Sequence, residues 1–267
     1  MALENPAFSR NPAFSERGVA ATPSAEELQR LYNQPSAPAD HGQFMTVEDT
    51  IAKSVFSFAV LLLGAAVGWI TAPAMSLLWI GAAVVGFVLA LVNIFKKEPS
   101  PPLILAYAAA QGIFVGGISA FYETSYPGIV TQAVIGTLVV VGVTLALFAS
   151  GKIRASKRAT KIFLVAMVGY AVFSLVNLGI MVFGGAGGNP WGLRGSFEIF
   201  GIPLGVVLGV FVVILAAYSL VLDFDSIQRG VRNKAPRRYG WSGAFGIMVT
   251  VIWLYLELLR MLAISRD

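Results

Sequence analysis

Seven long apolar stretches fix what this chain can fold into. They run over residues 54–72, 74–95, 103–122, 128–149, 162–183, 201–222 and 243–264. Each is about the twenty residues a helix needs to cross a hydrocarbon core. Inside lipid a backbone has no water to bond, so such stretches become helices whose polar groups are satisfied internally. The expected fold is all-α: a polytopic bundle of seven transmembrane helices in a lipid bilayer. The first boundary is the least marked, because only Ala72, Pro73 and their neighbours part the first two stretches. A helical hairpin there is preferred over one long broken helix.

Composition agrees, with 57% hydrophobic and 12% charged residues, outside the balance of a soluble domain. The net charge of +5 is confined to short loops between apolar runs. A nucleic-acid binder would carry it on one face, so nucleic acid is not an expected partner.

Those loops set an expected orientation, since Lys and Arg in short loops are retained in the cytoplasm. Lys96 and Lys97 follow the second span. Lys152, Arg154, Lys157, Arg158 and Lys161 follow the fourth, and Arg229, Arg232, Lys234, Arg237 and Arg238 follow the sixth. The loops after the first, third and fifth spans offer only Glu123, Arg194 and Glu198. The amino terminus is therefore expected in the cytoplasm and the carboxy terminus on the extracytoplasmic side. The first apolar run starts too far from Met1 for a cleaved secretory signal to be expected.

Residues 1–45 are polar and rich in Pro, Ser and Ala. With too little apolar surface to offset the entropy of ordering, they are expected to form a disordered cytoplasmic tail, with residues 46–267 as the membrane domain. The tail carries a tandem repeat, NPAFSR then NPAFSE over 5–16. It reads either as a duplicated linker or as a docking motif. Within the spans, Gly64 and Gly68, Gly112 and Gly116, and the run Gly201, Gly205 and Gly209 have the four-residue spacing that lets helices approach closely in lipid. A hinge at Pro203 is the lesser reading of that run.

A charge inside the hydrocarbon costs about 2.5–3.5 kcal/mol on insertion scales, so each one needs a reason. Lys53 and Glu123 sit at span ends and read as anchors that reach the interface. In the sixth span Asp223 lies about 10 Å inside the cytoplasmic end, and Asp225 points to a different side of the helix. Asp225 has Arg229 four residues on, a favourable pairing distance, whereas Asp223 has no basic residue at either helical spacing. In the seventh span Glu257 and Arg260 are three apart and can neutralise each other, or form a proton or cation site.

Catalysis is not expected. The chain has no cysteine, and its one histidine, His41, lies in the tail. No span carries a second cluster of metal ligands, so a metalloprotease is not expected, and Ser219 and Ser226 have no histidine or buried lysine to activate them.

Three stretches carry a resemblance to a known family: LILAYAAAQGIFVGGIS over 103–119, SLVLDFDSIQRGVRN over 219–233 and VTVIWLYLELLRMLAIS over 249–265. Their order resembles the Bax inhibitor-1 family, in particular its bacterial branch, and within it the forms of high-GC Gram-positive bacteria. The resemblance implies a multi-pass protein of the bacterial cytoplasmic membrane. It also implies a pH-sensitive calcium leak, in which an acid near the end of the sixth span, followed four residues later by Ile, pairs with an acid on the seventh to form a proton-sensing gate. Asp223 followed by Ile227 fits. Two acids sharing a proton stay hydrogen-bonded and separate by repulsion once both ionise.

The seventh-span partner departs from that pattern. Matching the string LYLE gives Glu257, while aligning the chain ends gives Thr250. The two differ by one heptad, about 10 Å in depth. If Thr250 is the counterpart, the two-acid sensor is lost or rebuilt from Asp225. A basic latch implied at the end of the second span falls on Lys96 or Lys97.

The functional expectation is a calcium or cation leak through a path containing Asp223, which as a hard oxygen donor suits Ca²⁺ as the permeant ion. Two alternatives stand beside it. One, implied by the resemblance, since another branch of that family is associated with such a protease, is a regulatory partner of a membrane-anchored ATP-dependent protease, acting through the tail. The other is a proton-coupled cation exchanger.

Overall fold

The computed structural model describes residues 44–184 and 190–267, together with Ser24, Ala25 and Gln29. The expected tail, with its NPAFS repeat and His41, falls outside the described residues save for those three and residues 44 and 45.

Among the described residues, seven helices long and apolar enough to cross a membrane form the body. They are α1 (Val47–Thr71), α2 (Ser76–Phe95), α3 (Pro101–Ser125), α4 (Ile129–Ala149), α5 (Lys157–Phe183), α6 (Leu204–Arg232) and α7 (Gly240–Ile264). A four-residue helix, Leu193–Ser196, and a small hairpin of β1 (Glu198–Ile199) and β2 (Ile202–Pro203) join α5 to α6. The chain is an all-α polytopic membrane protein.

Local chemistry explains where helices outrun the apolar stretches. The first helix starts at Val47 because Thr46 caps it, its hydroxyl accepting from the Asp49 N–H at 3.1 Å. Glu48 and Asp49 then sit in the first turn, where the helix dipole favours acids. Ser156 caps α5 the same way, accepting from Ala159 at 3.2 Å. Glu123 binds the N–H groups of Gly128 and Val130 at 2.6 and 3.0 Å, so it ties the α3–α4 turn. Lys53 pairs with Asp49 and donates to the Arg237 carbonyl at 2.7 Å. Both residues anchor helix ends.

α1 and α2 form a hairpin, and their packing on α3 shows it. Along α1, Leu61 and Gly64 meet Gly112, and Gly68 meets Gly117, so α1 and α3 run the same way. On α2 the order is reversed: Trp79 meets Gly117, Gly86 meets Gln111, and Asn93 donates to the Leu103 carbonyl. At Gly116 a Cβ would overlap the Ala65 carbonyl. Only glycine lets these backbones touch.

Gly205 and Gly209 serve α6 similarly, lying under Ile264 and Met261 of α7. Gly201 does not belong to that run. It and Phe200 form the two-residue turn of the β1–β2 hairpin with φ of 77° and 53°. Both central residues of such a turn need the left-handed region, which glycine enters freely. Pro203 precedes the first turn of α6 and so hinges nothing within the helix.

α7 is the centre of the bundle, with 56% of its apolar window buried, against 6% for α2 and for α5. Those two present their apolar surfaces outward, as helices solvated by lipid do. One end of the bundle carries the basic loops α2–α3, α4–α5 and α6–α7 and the start of α1; we call it the basic end.

Candidate functional site

Asp223 lies on α6 about 13 Å along the axis from the helix end at Arg232. Its Oδ2 accepts the Thr250 hydroxyl of α7 at 2.7 Å, and Thr250 in turn lies 3.3 Å from Ser219 Oγ. Among the described residues no Lys or Arg forms an ion pair with Asp223. Gly246 makes the approach of the two helices possible, since a Cβ there would stand 3.1 Å from Asp223 Oδ1.

The carboxylate borders a cavity of about 240 Å³ toward the basic end, walled also by Ile227, Gly243, Gly246 and Tyr239. Met45 closes one side. It is buried, its N–H donates to the Ala235 carbonyl at 2.7 Å, and Phe44 bridges to Pro236. Asp49 holds the same loop through Arg237 at 2.9 Å.

The other sequence candidates fall elsewhere. Asp225 points away from Thr250 and pairs with Arg229 at 3.1 Å, as their spacing suggests. Lys96 and Lys97 are exposed, and beside them Glu98 takes an ion pair with Arg238 at 2.7 Å. Glu257 does not meet Asp223. One of its oxygens accepts from Arg194 at 3.0 Å, the other from Arg260 at 2.9 Å and from the Tyr170 hydroxyl at 2.6 Å. Arg194 also donates to Tyr170 at 3.0 Å and to Ser174 at 3.2 Å.

Two polar stations therefore sit on α7 about 10 Å apart. Between them α6 and α7 bury Leu215, Ala216 and Leu254. No ion crosses such a layer without a structural change, because hydrocarbon offers nothing in place of its hydration shell. The second station depends on a residue whose part in it the sequence hides. Arg194 reads as a loop charge, yet it is 3% exposed. Its one legible signal is its solitude, an arginine in an otherwise nearly uncharged loop between spans.

Fold and site thus define a polytopic helical membrane protein with carboxylates held inside the bundle. The chain belongs to the Bax inhibitor 1 like family, whose model matches residues 5–267. No curated protein matches it.

Proposed function

We propose that the protein is a slow calcium or cation leak of a bacterial cytoplasmic membrane, held closed here, with Asp223 as its proton-sensitive element. One observation carries the reading: a carboxylate inside a spanning bundle has no cationic partner among the described residues and borders a cavity. Such a group has a large desolvation cost as an anion, and a proton or a passing cation relieves it. With Asp223, Thr250 and Ser219 the site supplies few of the six to eight oxygens calcium takes, so an ion there keeps much of its water. Weak holding suits conduction better than storage.

Thr250 takes the place that a second acid holds in the two-acid gate, so one carboxylate senses protons. With Asp223 protonated, the site has no charge to draw a cation; once Asp223 ionises, it does. Flux should therefore rise with pH. The basic loops support a cytoplasmic location for the basic end, and with it for the Asp223 cavity and the amino terminus. No catalytic role or bound cofactor enters this reading.

Calcium entry into sealed proteoliposomes tests it, comparing the native chain with Asp223→Asn. The exchanger reading separates on the driving force, because its flux follows an imposed proton gradient even when the pH at the Asp223 side is fixed. A regulatory role toward a membrane protease places the activity in residues 1–45, so their removal abolishes that role while Asp223-dependent flux persists and, with Met45 gone, rises.

A further inference from the structure

Arg194 and Arg260 converge on one acid, Glu257, and leave the cluster with an excess positive charge. The Arg194 and Glu257 side chains are 4% and 2% exposed. Arg260 is 35% exposed, and its bonds to Glu257 and Tyr170 both use Nη1. Its Nη2 and Nε find no acceptor among the described residues. Those donors are open to a further acceptor at the bundle surface.

The unused donors border a cavity of about 300 Å³, lined also by Tyr122, Ser174, Leu178, Met181 and Arg194. Asp267, which binds the lining residue Trp191 through Nε1 at 2.7 Å and also Tyr126 Oη at 3.2 Å, is bound to neither arginine. Leu178 and Met181 lie on α5 and are 55% and 43% exposed, on a helix whose apolar surface faces outward. The cavity wall is thus continuous with the surface that lipid covers. Arg260 lies about 6 Å along the axis from the α7 end at Ile264, the depth of a headgroup and not of a chain end.

We propose that this cavity binds the phosphate of an anionic phospholipid, which enters sideways between α5 and α7 with its acyl chains along α5. A guanidinium fork matches two phosphate oxygens, which a point charge cannot do. The excess positive charge favours a headgroup of net negative charge over a zwitterionic one, whose own cation would face Arg260. This site lies across the apolar layer from Asp223 and does not depend on the cation reading.

The test uses the full chain in detergent micelles, with phosphatidylglycerol, phosphatidylcholine or inorganic phosphate added and the rise in melting temperature followed. Phosphatidylglycerol should stabilise the native chain, phosphatidylcholine much less, and inorganic phosphate not measurably. Arg260→Gln should weaken the apparent phosphatidylglycerol affinity at least tenfold. Should that variant fail to fold, Leu178→Trp obstructs the sideways entrance while leaving both arginines in place, and it should weaken binding as well. Equal effects of the two lipids, or an equal shift with inorganic phosphate, overturn the proposal. So does native-like phosphatidylglycerol binding by Leu178→Trp, because lipid gathered by the basic loops at the other end would survive that change.

Discussion

The Thr250 hydroxyl donates to Asp223 across the α6–α7 contact at 2.7 Å, while Glu257, one heptad further along α7, is held by Arg194 and Arg260. A hydroxyl beside the carboxylate leaves a single titrating acid at this station. The pH profile of flux should follow one proton. Thr250→Asp introduces a second acid, and two interacting carboxylates lose their protons in two macroscopic steps. The flux profile of that variant should resolve into two steps; a profile that still follows one proton places Thr250 away from the pathway.

Glu257→Gln removes the one acid that balances two arginines. Breaking a buried pair while leaving the partner charge in place costs about 3–5 kcal/mol. A clearly lowered melting temperature in detergent is expected, with the pH dependence of flux retained. A native-like melting temperature combined with lost pH dependence assigns Glu257 to the gate instead.

The absence of cysteine allows a clean measure of orientation. Phe200 stands fully exposed at the tip of the β1–β2 hairpin, and Lys157 opens α5 at the basic end. Phe200→Cys should react with an impermeant maleimide on intact cells and Lys157→Cys only after lysis. The reverse pattern inverts the protein in the membrane.

Met45 covers the cavity below Asp223, so where a truncation ends should matter. Removing residues 1–43 keeps Met45 and its bond to Ala235 and should leave flux near native. Removing residues 1–45 uncovers the cavity, and flux at high pH should rise severalfold. Equal flux from the two shortened chains removes Met45 from any role in access.

Much of the fold was legible, because lipid makes local pattern decisive. Runs of apolar length gave seven helices, alternating loop charge separated the two ends, and four-residue spacings gave the Asp225–Arg229 pair and the Gly64, Gly68, Gly112 and Gly116 contact. The site was legible as far as one helix carries information. The spacing of Glu257 and Arg260 shows on α7 alone, but Arg194 reaches Glu257 only after the chain turns back from α5 through the short helix Leu193–Ser196, and Tyr170 comes from α5 itself. Gly201 was misplaced for a related reason. Its spacing to Gly205 is helical, yet Phe200 and Gly201 make a tight turn, and spacing alone does not distinguish the two. The choice between Thr250 and Glu257 beside Asp223 depends on how deep α6 and α7 cross, which is a property of the packed pair.

The most direct measurement is calcium uptake into proteoliposomes across a range of pH, with native protein and Asp223→Asn at equal density. Flux that rises with pH in the native chain, and a flux in Asp223→Asn that no longer responds to pH, is the expected result. Protein-dependent flux that is absent at every pH, or a pH response that survives Asp223→Asn, contradicts Asp223 as the proton-sensitive element of a cation path.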